Sequence, residues 1–122
     1  MVNGFEKETE ELTEKEMKEI LPLIVCGLKN KIGEKNQISS TEIISKMKER
    51  NYKISPARLR KMINYIRTNN LIFNLVASSK GYYIANTPSE CRSFIESLDQ
   101  RINAIITVRD TMKYQLEMSL KN

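Results

Sequence analysis

From Ser89 to Leu120 the chain contains neither glycine nor proline, and Thr87-Pro88-Ser89-Glu90 ahead of it has the form of a capping box with proline at the first helical position. This predicts one unbroken helix. At 1.5 Å per residue, roughly 30 residues reach about 45 Å, more than a domain built from the rest of the chain can cover. Part of the helix must project. Cys91, Ile95, Leu98, Ile102, Ile105, Arg109, Met112 and Leu116 alternate spacings of four and three, a heptad seam interrupted only by Arg109. Phe94, Ile106 and Val108 widen the stripe. Such a helix needs a partner, and the nearest is its own copy. Residues 87–122 are therefore expected to form a coiled-coil-like dimerisation helix, with Ile95, Leu98, Ile102, Ile105, Met112 and Leu116 in the homodimer seam. The alternative is folding back over the apolar side of the first helix.

The whole chain has 122 residues, the size of one domain with an appendage. With 40% hydrophobic and 29% charged residues but only four glycines and three prolines, the composition is that of a folded, helix-rich chain. Cys26 and Cys91 are the only cysteines and there is no histidine, so neither a zinc site nor imidazole catalysis is expected. No cofactor is expected either. Glu42 and Glu49 are too isolated for a metal nuclease, no glycine-rich phosphate loop is present, and the chain does not read as an enzyme. No apolar run approaches the roughly 20 residues of a membrane span. Without a secretion signal, the expected compartment is a reducing cytoplasm.

Residues 1–12 read as an acidic, flexible arm. Thr13 and Glu16 then form a capping box, and Met17, Ile20, Leu21, Ile24, Val25 and Leu28 make a core-facing stripe. Cys26 is placed with that stripe as a small core residue. Pro22 predicts a kink near Glu19 or two abutting helices, and Gly33 a left-handed helix cap. Ser39-Ser40-Thr41-Glu42 opens a short second helix running to Arg50, with Ile43, Ile44 and Met47 inward. Asn51 to Ile54 joins it to a third, in which Asn51 stands where a glycine is usual. Beyond that helix, Leu71 to Ala77 and Tyr82 to Ala85 read as strands around the turn Ser78-Ser79-Lys80-Gly81.

The third helix, from N-cap Ser55 and Pro56 to Asn70, is the most basic amphipathic segment. Leu59, Met62, Ile63 and Ile66 share its inner face. The opposite face carries Ala57, Arg60, Lys61, Asn64 and Thr68, flanked by Arg58, Tyr65 and Arg67. These are cations for phosphates, an amide and a hydroxyl for base edges, and a small residue for close approach to a groove. The charge distribution agrees. Residues 1–19 carry a net −4, residues 29–81 a net +9, and residues 82–122 sum to zero. A single-sign field around one helix favours a polyanion.

Helix, helix, basic helix and hairpin in that order resembles the winged-helix family of DNA-binding domains over residues 13–86, with the hairpin as wing. The long C-terminal helix resembles the dimerisation element of many small bacterial and phage winged-helix proteins, and Ala77-Ser-Ser-Lys-Gly-Tyr-Tyr-Ile84 resembles a wing of small phage or prophage proteins. The fold implied is mostly α, small α+β: a winged helix-turn-helix with a two-stranded wing and a long C-terminal helix. The resemblance implies Lys61, Asn64, Arg60 and Thr68 near base edges, and Arg58, Arg67, Lys53 and Lys80 on phosphates. With one cation in its turn, the wing should add little affinity. The function implied is a dimeric duplex-DNA-binding protein, a transcription regulator or replication accessory acting by occupancy, in the host cytoplasm if phage-encoded. The competing expectation is an interaction module that binds a host or phage protein, as adaptor or inhibitor, and no DNA.

Overall fold

The computed structural model describes residues 10–121. Most of the acidic arm expected over residues 1–12 lies outside the described residues. Its last residues are placed: Leu12 packs against the core, and the carbonyls of Glu10 and Glu11 accept hydrogen bonds from Arg58, 3.0 Å each.

Thr13 and Glu16 form their reciprocal cap, with the Thr13 N–H donating to Glu16 Oε1 at 2.8 Å and the Glu16 N–H to Thr13 Oγ1 at 3.1 Å. A π-helical turn, Glu16–Ile20, runs directly into the α-helix Leu21–Leu28, and the two together are α1. The π turn is the local answer to Pro22. Proline has no N–H and its ring crowds the carbonyl four residues back, while the Leu21 N–H reaches the carbonyl of Glu16, five back. The helix is disturbed where the kink was expected, and it continues. It ends at Leu28, so Gly33 is not its cap as the sequence suggested. Gly33 instead has φ 84° and turns the chain into the 3-10 turn Glu34–Asn36.

α2, Ser40–Glu49, opens on the expected Ser39–Glu42 capping box, and α3, Pro56–Thr68, on Ser55, whose hydroxyl accepts from the Arg58 N–H at 3.2 Å. Both helices stop the same way. Asn51 and Asn70 take positive φ, 67° and 56°. After α2 the Asn51 and Tyr52 amides donate to the Lys48 and Met47 carbonyls, each at 2.9 Å; after α3 those of Asn70 and Leu71 donate to Arg67 at 3.2 Å and Ile66 at 3.0 Å. These are Schellman closures, which satisfy the last carbonyls if one residue tolerates left-handed backbone. Asn51→Ala is therefore expected to cost about 1–2 kcal/mol, read as a lower urea midpoint, with Asn51→Gly at or above wild type. Equal midpoints for the two variants would show that backbone strain does not set the stop. The connector itself is pinned from outside, since Ile54 is buried and the Tyr52 hydroxyl donates to Glu19 of α1 at 2.9 Å.

The core lies where the three helices meet. Leu59, Met62 and Ile66 of α3 are completely buried, Ile63 nearly so, against Ile20, Leu21, Ile24 and Leu28 of α1 and Ile43 and Met47 of α2. Cys26 is exposed, contrary to expectation. It lies about 200° round the helix from Ile24, on the side opposite the buried residues.

β1, Leu75–Ser78, and β2, Gly81–Ile84, pair antiparallel with Leu75 opposite Ile84 and Ser78 opposite Gly81, leaving a two-residue turn at Ser79 and Lys80. The first strand is shorter than expected, because Leu71 to Asn74 form the turn that closes α3, with Asn74 at φ 60°. The second edge of β2 is covered by segments the sequence did not mark as β: Ile32 bridges Ile84 in parallel and Ile38 bridges Tyr82 antiparallel. Tyr83 is buried and Tyr82 packs against the core.

The described residues divide into two compact units, one ending at Asn86 and the second beginning at Thr87. The second is α4, Pro88–Leu120, capped by Thr87 and Glu90 in a third capping box. None of its residues is buried. The chain is thus mostly helical with one β-hairpin and a long C-terminal helix, the fold class expected. Among the described residues no helix is long and apolar enough to cross a membrane.

Candidate nucleic-acid interface

Because Leu59, Met62, Ile63 and Ile66 anchor α3 in the core, its opposite face is fixed outward by helical geometry. Arg60, Asn64 and Thr68 on that face are exposed and Lys61 is half-buried. Lys53, two residues ahead of the Ser55 cap, and Lys80, on the hairpin turn, are also exposed. The Thr68 hydroxyl donates to the Asn64 carbonyl at 2.8 Å and accepts from the Asn69 amide at 3.5 Å, so its proton belongs to the helix and only acceptor capacity faces outward.

Three residues grouped with this face belong elsewhere. Ala57 is 6% exposed and fills part of the buried first turn, so it does not shape a groove-facing surface. Arg58 turns inward. Its Nη2 lies 2.6 Å from Glu16 Oε1 and its Nε 3.0 Å from Oε2, a bidentate pair in which both side chains are nearly buried. With its other N–H groups on the Glu10 and Glu11 carbonyls, Arg58 ties α3 to the start of α1 and is not placed to meet a phosphate. The pair holds the Glu16 carboxyl below its ordinary pKa, chiefly through the hydrogen bond from Arg58, against the opposing cost of burial. Arg67 is likewise structural. Its Nε donates to the Leu75 carbonyl at 2.9 Å and its guanidinium lies 5.9 Å from the ring centre of Tyr82, so it joins α3 to both strands.

The structure also ties the hairpin tip down. The Ser78 hydroxyl donates to Gln37 Oε1 at 2.6 Å and accepts from the Lys80 N–H at 3.1 Å. No local spacing could have shown the first bond, since its partners are 41 residues apart. An open groove of about 240 Å³ separates the tip from the start of α2, lined by Ser39, Ser40, Thr41, Ser79 and Lys80. Hydroxyls beside a single ammonium suit a phosphate oxygen. A larger cleft of about 480 Å³ between the segment before α1 and the α2–α3 turn is lined by Glu10 and Glu16 as well as Lys15, Lys53 and Arg58. Its charge is mixed, so it does not extend the cationic face.

The surviving set is Lys53, Arg60, Lys61, Asn64, Thr68 and Lys80. It can hold a polyanion and offer an amide to a base edge, and it contains no paired acid and base. Among the described residues no group of three or more acidic or thiol side chains is placed to hold a metal ion. Comparison with protein-family models, with curated proteins and with solved structures found no match to the chain.

Proposed function

We propose that the chain binds duplex DNA through the outer face of α3 in the manner of a winged-helix protein, and that it acts as a homodimer joined by α4. It works by occupancy, as a transcription regulator or replication accessory. The observation that carries this reading is the outer face of α3: Arg60, Lys61, Asn64 and Thr68 stand on the side opposite the core, and no carboxylate occurs in the sequence between Arg50 and Gly81. Asn64 is the residue suited to direct readout, since an exposed amide can donate to and accept from one adenine edge. Lys53 and Lys80 serve phosphates.

Titration of labelled duplex DNA across a salt series tests the reading. Each phosphate neutralised adds about −0.9 to the slope of log affinity against log salt, so four such contacts give a slope near −3.6. Lys61→Ala together with Asn64→Ala should weaken binding by about 10- to 100-fold, and Lys80→Ala should reduce the slope by about one. Absence of binding at about 50 mM salt, or a double variant that binds like wild type, would remove the DNA reading.

One observation favours a protein partner instead. Leu71 and Phe73, in the turn after α3, are 44% and 70% exposed, apolar surface for which phosphate contacts have no use. In the absence of DNA binding, Phe73→Ser would be the variant to compare in a search for a protein ligand.

A further inference from the structure

We propose that two copies of the chain pair through α4 in the antiparallel sense, the first half of one helix lying against the second half of the other. The inference rests on the dimer reading above and gives it a direction. α4 carries four heptads of seam with no buried residue, and its middle is apolar and exposed, with Ile102 53%, Ile105 68% and Val108 63% exposed. A seam of that length is enough to sustain a coiled coil. The direction follows from what each arrangement does with the charges.

In a parallel, in-register pair every residue meets its own copy at the same level. Arg109 sits on the seam and would face Arg109 of the second copy, two guanidinium groups forced together in the apolar strip. The flanking positions bring no relief. With Ile95 and Ile102 at a and Leu98 and Ile105 at d, the parallel contacts between g and e positions join Phe94 to Asp99, Arg101 to Ile106, Val108 to Lys113 and Gln115 to Leu120, none of them an opposite-charge pair. The antiparallel pair changes two of these terms. It separates the two Arg109 residues and brings the Asp99 side of one helix toward Arg109 and Lys113 of the other. Residues 88–104 carry one net negative charge and residues 105–121 one net positive charge, so the halves are complementary. Opposed helix dipoles act in the same direction. The ion pair that Arg109 already makes, with Asp110 at 3.0 Å, is between neighbours on its own helix and provides no contact to a facing copy.

Cys91, a half-buried residue at the first seam position, provides the test. In full-length protein carrying Cys26→Ser, a parallel pair places the two Cys91 residues side by side. They would form an intermolecular disulfide on mild oxidation, and spin labels on them would lie within about 20 Å. An antiparallel pair holds them about 40–50 Å apart, from the 1.5 Å rise over the residues between them and the helix middle. The measurements are sedimentation for mass and electron–electron spin distance for direction. A mass of two copies with a long label distance and no disulfide is the expected result. Two copies with a short distance or rapid Cys91 crosslinking would overturn the direction and leave the dimer standing. A mass of three or four copies would overturn the two-helix pairing, and a mass of one copy would remove the dimer reading itself.

Discussion

Arg58→Ala should destabilise the protein by about 3 kcal/mol, visible as a large drop in the urea midpoint, while Arg60→Ala two residues on should change stability by less than about 0.5 kcal/mol. Both are arginines on α3, and only their surroundings differ. The Arg58 and Glu16 side chains are 13% and 10% exposed, and truncating the arginine leaves the Glu16 carboxylate nearly buried with no cation. It also releases the Glu10 and Glu11 carbonyls that fasten the chain ahead of α1. Breaking a buried pair by removing one partner is costly because the remaining charge has lost its compensation. Arg58→Lys should recover only part, since an ammonium keeps the charge but not the bidentate fork. For the proposed DNA binding the order should invert, with Arg60→Ala the more damaging once folding is accounted for. If Arg58→Ala is as stable as wild type, the pair is a surface contact and Arg58 returns to the candidate interface.

The same pair makes a pH prediction. The Glu16 pKa in the folded protein is lowered from an ordinary 4.5. A carboxyl whose folded pKa is depressed contributes stability that is fully present above its unfolded pKa and is lost as pH falls through the folded value. Urea unfolding at pH 7 should therefore show wild type well above Glu16→Gln. The difference should shrink as the pH is taken below about 4.5. A difference independent of pH would mean that Glu16 acts through packing and its cap on Thr13 alone.

Arg58 also marks where reading by sequence stops. Its place on the flank of a basic face follows from periodicity, but its partner lies 42 residues away, at the start of another helix. Thr13 with Glu16, Ser39 with Glu42 and Thr87 with Glu90 were legible because each capping box closes over three residues and needs only the local chain. Helix stops at Asn51 and Asn70 are of the same local kind. Ala57 failed for a related reason, because a helical wheel drawn from one helix knows its main core face and not what covers its first turn. The hairpin was found but its first strand began late, at Leu75, because Leu71 and Ile72 have β-branched or apolar character while the backbone there is closing α3. Edge pairing of Ile32 and Ile38 with β2 could not be seen at all, since one bridge on each carries no alternating pattern.

Gly81→Ala is the substitution expected to show what that hidden edge does. A methyl group at position 81 would stand 2.3 Å from the Ile38 carbonyl oxygen, 2.6 Å from its carbon and 2.9 Å from the Ser39 nitrogen. All three are backbone atoms, so no rotamer change relieves the contact. The hairpin and residues 38–39 must separate. That movement strains the paired bonds between Ile38 and Tyr82, 3.0 and 2.9 Å, and disturbs Ser39, whose hydroxyl caps α2. Overpacking of this kind typically costs 1–3 kcal/mol, and with backbone on both sides about 2–3 kcal/mol is expected. The Ile38 and Tyr82 amides should exchange with solvent faster than in wild type, while those in the middle of α4 should be unaffected. Gly27→Ala supplies the contrast: position 27 is helical and exposed with nothing within 4 Å of the new methyl, so up to about 1 kcal/mol of stabilisation is expected there. Because the hairpin turn carries Lys80, Gly81→Ala should weaken the proposed DNA binding more than Lys80→Ala does, the first moving the whole tip away from α2 and the second removing one charge. Equal affinity in the two variants would show that the hairpin contributes a charge and no position, and would confine the interface to α3 and Lys53.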